Sequence, residues 1–267
     1  YLKEVRLFFS DLYKSRRLIV DLAQREFRIK YSENYLGLAW AVLEPVAMML
    51  ILLVVFTYLR NRSHSSYPFV AYLLSGVVPF TFFSSSLSQA TTSIKSFSFL
   101  LKQGSIRAGL LPLVNILSAL KTHLIILCVA IGIFLGVGIK PSWYWLQLPY
   151  FTISSIILLV GLTWITSSLV LFVRDIQYLI GILMRTTFFL TPIFYELSRF
   201  PEQYHIYFKL NPLYHLVEGY RMCFLYHQPL WSDPVSLISF WCLTILSLVT
   251  GAFVFRKLRP EFADMVL

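Results

Sequence analysis

Six stretches of this 267-residue chain are apolar for about the length a helix needs to cross a bilayer, and that repetition leaves few folds open. The first, Leu38 to Leu59, carries a single charge, Glu44. At about 1.5 Å rise per residue it covers roughly the ~30 Å hydrocarbon core. The others run from Pro68 to Ile94, Leu110 to Ile139, Tyr144 to Val173, Gln177 to Tyr195 with an interruption at Pro192, and Val235 to Phe255. Only 13% of residues are charged while 57% are apolar or aromatic. Soluble domains carry about a quarter charged residues, so a water-facing surface is excluded. The expectation is an all-α integral membrane protein of one domain, with residues 1–37 a cytoplasmic segment, 38–255 a six-span bundle and 256–267 a cytoplasmic tail.

A net charge of +10 would suggest nucleic acid in a soluble protein. Here eight of the 23 Lys and Arg residues precede Leu38, where they meet anionic headgroups and orient the chain. With both termini in the cytoplasm, 15 basic residues fall inside and six outside, and Lys121 and Arg185 fall within spans. No short basic segment leads into the first apolar run as in a cleavable signal peptide, so the N-terminus is expected to stay inside. Cys128, Cys223 and Cys242 are too few and scattered for a disulfide framework or a zinc site. Within the basic segment, Leu18, Ile19, Leu22, Ala23, Phe27 and Tyr31 recur at three- and four-residue spacing, with Arg17, Arg25, Arg28 and Lys30 mostly on other faces. This pattern predicts an amphipathic helix along the inner membrane surface. The 193–234 stretch is too apolar for a free loop and too polar for two crossings. It either dips into the membrane and returns, lining a wet path, or caps the outer headgroups.

Catalytic signatures are missing. The sequence holds no G-x-x-x-x-G-K-[ST] phosphate loop, no H-E-x-x-H, no G-x-S-x-G and no paired Cys motif, so the chain is not expected to hydrolyse ATP by itself. Glu196, Glu202, Glu218 and Asp233 gather on the outer side, either as a glycan-processing site or as solvated loop charges with local ion pairs. The intramembrane charges Glu44, Lys121 and Arg185 would each cost about 2.5 to 3.5 kcal/mol at a span centre, so they face water or pair within the bundle. Gly132 and Gly136 form a G-x-x-x-G, a pattern of close helix packing.

QREFRIKYSENYLGLAWAVLEPVAMMLILLVVF (24–56) resembles the opening signature of the membrane subunits of bacterial polysaccharide ABC exporters, the type-2 export permeases of O-antigen, capsule and teichoic acid. YLLSGVVPFTFFSSSLSQATTSI (72–94), VRDIQYLIGILMRTTFFLTPIFY (173–195) and NPLYHLVEGYR (211–221) resemble later signatures in the same order. LEPVAMMLILL is similar to the capsule branch, whereas FFLTPIFY and the terminal FRKLRPEFADMVL are more like the O-antigen and teichoic-acid branch, and O-antigen is favoured.

The resemblance implies a homodimeric inner-membrane permease with an interface helix, a coupling helix between spans two and three, and re-entrant helices before the last span. Two copies of a separate ATP-binding subunit would carry ATP and Mg, with no cofactor on this chain. The cargo would be a lipid-linked glycan, moving through a dimer channel lined by spans one and five. By position, the interface helix holds Leu18, Leu22, Arg25, Phe27 and Arg28, and Phe56, Phe188, Phe189, Phe194 and Tyr195 become candidates for aromatic lining, against the competing reading of packing or lipid contact. Arg185 joins them as a cation about 15 Å deeper than Asp175 on an unbroken helix. The coupling segment combines Lys95 and Lys102 with the apolar cluster Phe97, Phe99, Leu100 and Leu101, which suits either a groove of the ATPase or the headgroup region. A type-2 permease for a small amphiphile and a membrane-embedded glycan-processing enzyme are the competing readings.

Overall fold

The computed structural model describes residues 13–32, 68–103 and 106–265, together with positions 35, 37–40, 43, 46, 47, 50, 51, 54 and 55. Glu44 and Phe56 lie outside the described residues, as does much of the first expected span. Among the described residues every regular element is helical. Helix α1 (Arg16–Ser32) precedes α2 (Phe69–Thr91), which leads into two short helices, α3 (Ser93–Ser96) and α4 (Ser98–Lys102). A 3-10 turn at Ala108–Leu110 opens α5 (Leu111–Gly136), and another at Trp143–Gln147 opens α6 (Leu148–Phe172). Pro112 and Pro149 sit in the first turns of these two helices, where the missing N–H costs nothing. After them come α7 (Asp175–Leu190), α8 (Glu202–Lys209), α9 (Pro212–Arg221), a π turn at Met222–Tyr226, α10 (Pro234–Leu258) and α11 (Phe262–Met265).

Four helical stretches are long and apolar enough to cross a membrane: Phe69–Thr91, Ala108–Gly136, Trp143–Phe172 and Pro234–Glu261. The expected fifth span is cut short. Pro192 disfavours helical backbone at the residue before it, and Thr191 is extended with ψ 134°. The 16 residues of α7 therefore reach only about 24 Å. Six crossings were expected from hydropathy, and four are what the described residues supply by length and composition.

Helix α2 occupies the middle of the bundle, packed against α5, α6, α7 and α9, and is buried without a break from Ala71 to Phe80. Helix α10 lies along α6 at close range. A Cβ on Gly161 would come within 2.7 Å of the Leu248 nitrogen, and one on Gly251 would run into the Gly161 carbonyl. These two glycines let the backbones touch, the use small residues have between helices in lipid. The expected G-x-x-x-G does no such thing, since a Cβ at Gly132 or Gly136 would meet nothing within 4 Å.

The bundle has two distinct ends. At one, the Trp164 indole donates to the Gly109 carbonyl at 3.0 Å, and Ile94, Ala108, Phe255 and Phe262 share a small core. At the other, Ser142 hydrogen-bonds His227 at 3.0 Å and the Gln147 amide donates to the Gln228 carbonyl at 3.1 Å. Helix α1 belongs to the first end. Its periodicity was expected to lay an apolar face on lipid, but Ile19, Leu22 and Ala23 pack against Leu110, Leu111 and Val114, and Tyr31 reaches Thr122 at 3.3 Å. Protein, not headgroups, takes that face.

Candidate functional site

Helix α9 is started by sequence-local chemistry. The Asn211 side chain accepts from the Leu213 N–H at 3.0 Å, and Pro212 fills the first turn. Its apolar side, including Leu213, Leu216 and Val217, then enters the main core, where Gly219 admits the Phe151 ring in the space a Cβ would need. Tyr220 pins the helix to two spans, its hydroxyl lying 2.9 Å from His123 Nε2 on α5 and 3.1 Å from Thr152 Oγ1 on α6.

The next residue joins three elements. Arg221 is 1% exposed, and a buried guanidinium is tolerable only when paired. Its Nη1 donates to Glu218 Oε2 at 3.0 Å, its Nη2 donates to the Ile193 carbonyl at 2.7 Å, and its cationic carbon lies 3.6 Å from the Tyr72 ring centroid. The Tyr72 hydroxyl in turn donates to the Tyr195 carbonyl at 2.9 Å. One side chain thus ties α9 to α2 and to the 191–195 segment that follows α7. In the sequence Arg221 stands out just as one of the basic residues and as the last residue of the 211–221 signature. The available signal was its i,i+3 relation to Glu218 within an otherwise apolar helix.

That tied segment carries a run of rings. Phe80 meets Phe188 at 5.0 Å between centroids, Phe188 meets Phe194 at 6.0 Å, Phe194 meets Tyr195 at 5.2 Å, and the run continues through Phe200 to Phe208. Phe189 contacts both Phe188 and Phe194. The Tyr195 hydroxyl also donates to the Phe189 and Leu190 carbonyls, which closes the orphan C-terminal acceptors of α7. Four sequence-predicted residues, Phe188, Phe189, Phe194 and Tyr195, are therefore one cluster. Phe188 is buried at 5% exposure, while Phe189 is open at 62%. With Phe189, Tyr178, Ile182 and Arg185 recur at helical spacing along the exposed face of α7. Arg185 makes no ion pair or hydrogen bond among the described residues. Lys121 sits half-buried beside Thr122 on α5.

The opposite end holds the expected coupling segment. Phe97, 3% exposed, and Leu100 are buried with Ile19, Leu22 and Ala23 of α1, and Leu101 packs at the edge. Phe99 is 46% exposed and Lys95 is exposed, while Lys102 closes α4 with its side chain outside the description. So half of the apolar cluster serves the chain's own core. On α1, Leu18 and Phe27 are half-buried, Leu22 is buried, and Arg25 and Arg28 face outward. Burial pushes the Glu26 carboxyl up in pKa against the opposing pull of the Arg25 guanidinium.

Two of the acidic residues expected on the outer side are already engaged, Glu218 with Arg221 and Asp233 with Lys209 at 3.0 Å. Among the described residues no group of His, Cys, Asp and Glu could hold a metal ion. A bundle of bilayer-length apolar helices with a short helix pair folded back into one end defines a multi-pass membrane protein whose polar features are structural links rather than a reaction centre. Residues 17–225 match the family model for ABC-2 type transporters, and the chain belongs to that family. It is thus a transporter subunit, not an enzyme, and the nucleotide work of such a transporter is done by a partner ATPase. The chain is similar to an O-antigen export system permease protein RfbA of Myxococcus xanthus, 26% identical over 96% of this chain and 98% of the relative. It is also similar to an RfbA of Klebsiella pneumoniae, 26% identical over 93% and 95%. A polysialic acid transport protein KpsM of Escherichia coli is 30% identical over 87% of this chain and 90% of the relative.

Proposed function

We propose that this chain is the permease of an ATP-driven exporter that moves a lipid-linked polysaccharide, with an O-antigen-type glycan favoured, out across a bacterial inner membrane. The observation that carries this reading is similarity to O-antigen export permeases along nearly the full length of both chains. A capsular glycan is the second reading, favoured by the 30% identity to KpsM. The working unit is two copies of this chain with two ATP-binding subunits, and residues 1–267 act as one transmembrane domain with both termini in the cytoplasm. In that unit the exposed α7 face of Tyr178, Ile182, Arg185 and Phe189 lines the path, completed by the second copy. Lys121 stands near the middle of the Ala108–Gly136 helix, so its charge faces the bundle interior or water.

The direct test is genetic. In the native cell, deleting this gene is expected to leave the lipid-linked glycan on the cytoplasmic leaflet, and restoration requires both this chain and its ATPase. Unchanged surface glycan after deletion would remove the assignment.

Arg185 provides a prediction about the path. An open cation on a lumen face attracts the phosphate of a lipid-linked cargo, whereas on a lipid face it would carry an uncompensated cost. Arg185→Leu is expected to lower export several-fold while expression and ATPase binding stay at wild-type levels. A variant that instead fails to accumulate would mean that the charge serves folding.

A further inference from the structure

Outside the ring cluster, a cavity of about 520 Å³ opens between α9, the π turn and the start of α10, within the size range of small-molecule sites. We propose that it is a subsite for the sugar units of the exported glycan, an inference that rests on the polysaccharide reading above. Tyr214, Glu218, Met222 and Tyr226 recur every fourth residue along its wall. In an uninterrupted α-helix, residues four apart drift by about 40° per step, so three steps would carry Tyr226 away from Tyr214. The π turn at Met222–Tyr226, with its wider i→i+5 winding, counters that drift and keeps all four on one cavity. Such turns concentrate at functional sites because they cost regular hydrogen bonding and persist where a side-chain placement needs them. The turn ends at His227, the single non-glycine residue with positive φ (52°) among the described residues, held by its contact with Ser142.

The chemistry of the wall selects the ligand class. Lys209 is bridged to Asp233 at 3.0 Å and Glu218 to Arg221 at 3.0 Å, so the charges are balanced and neither an anion nor a cation is called for. The wall also presents two carboxylates with spare lone pairs, the Gln228 amide and the Tyr214 and Tyr226 side chains, chemical groups of the kind that serve hydroxyl groups. Carboxylate acceptors make the stronger, charge-assisted bonds to such hydroxyls. The tyrosine rings add apolar faces for the C–H side of a pyranose. A neutral polyhydroxylated ligand fits this set better than an acyl chain. The site also adjoins the proposed path, because Glu218 in its wall holds Arg221, and Arg221 holds the Ile193 carbonyl next to Phe194.

The test uses the intact complex in native cells that make the glycan. p-Benzoylphenylalanine in place of Gln228, an exposed wall residue, is irradiated, and the permease is recovered and stained for carbohydrate. The same probe at Phe189 reports the proposed path, and at Ile245, an exposed apolar position on α10, it reports lipid. The expected result is an upward mobility shift with carbohydrate staining at 228 and 189, absent at 245. A shift at 189 without one at 228 overturns the subsite and leaves the export reading standing. Shifts at all three positions show that the capture is non-specific and overturn the site as well. No shift at either 228 or 189 in an assembled complex removes the polysaccharide reading and the subsite with it.

Discussion

Arg221→Leu is expected to lower the stability of the purified complex by about 1 to 3 kcal/mol, the usual cost of leaving a buried hydrogen-bonding group without its partner. The substitution leaves the half-buried Glu218 carboxylate without its cation and the Ile193 carbonyl without its donor. It also removes the cation from the Tyr72 ring. The 191–195 segment then keeps the Asn211 amide on Thr191 and the Tyr72 hydroxyl on the Tyr195 carbonyl but loses the tie at Ile193, next to the ring cluster. Thermal unfolding in detergent measures the effect, and proteolytic nicking between Thr191 and Pro201 locates it. Arg221→Lys should recover only part, because an ammonium is a point charge that does not reproduce the two-pronged donation to a carboxylate and a carbonyl. Adding Glu218→Gln to Arg221→Leu should recover more than its own single effect suggests, since it removes the stranded charge. A melting temperature for Arg221→Leu equal to wild type would show that water, rather than protein, surrounds this group.

Why the sequence disclosed some of this and hid the rest follows from range. Hydrophobic runs report helices directly, so α2, α5, α6 and α10 lie where the apolar stretches put them. Hydropathy carries no mark at the end of α7, since FFLTPIFY stays apolar across the break, but Pro192 marks the interruption, and the helix stops just before it at Leu190. Periodicity exposed the amphipathic character of α1, yet an apolar stripe reads the same whether lipid or Leu110 and Val114 covers it. Close packing misled in the same way. At Gly132 and Gly136, neighbours in sequence, a Cβ would meet nothing within 4 Å, whereas Gly161 and Gly251, ninety residues apart, bring two backbones together. The ring cluster was legible because Phe188, Phe189, Phe194 and Tyr195 are local to one another. Arg221 was not, because two of its partners, Tyr72 and Ile193, are distant in sequence and one of them is a backbone carbonyl that every residue possesses.

The same distinction separates two phenylalanines only two residues apart, and their substitution should give opposite phenotypes. Phe97 is part of the packing between α1, α4 and the start of α5, so Phe97→Ala opens a cavity worth about 3 to 5 kcal/mol. The expected outcome is a permease that accumulates poorly and binds its ATPase normally in the fraction that survives. Phe99 is 46% exposed on the same short segment, beside the exposed Lys95, and its removal leaves no void in the chain. In the proposed assembly this ring is the one aromatic of the segment free to enter a groove on the ATP-binding subunit. Truncating a central aromatic anchor typically costs about 2 kcal/mol or more, which is roughly a 30-fold loss of affinity. Phe99→Ala should therefore insert and melt like wild type while losing copurified ATPase or its stimulation. Measuring melting temperature and ATPase recovery on both variants decides the matter, because the two effects fall on different readouts. If Phe99→Ala retains full ATPase recovery and export, the exposed ring is a lipid contact, and coupling must reach the bundle through another surface, for which the outward-facing Arg25 and Arg28 of α1 are the next residues to substitute.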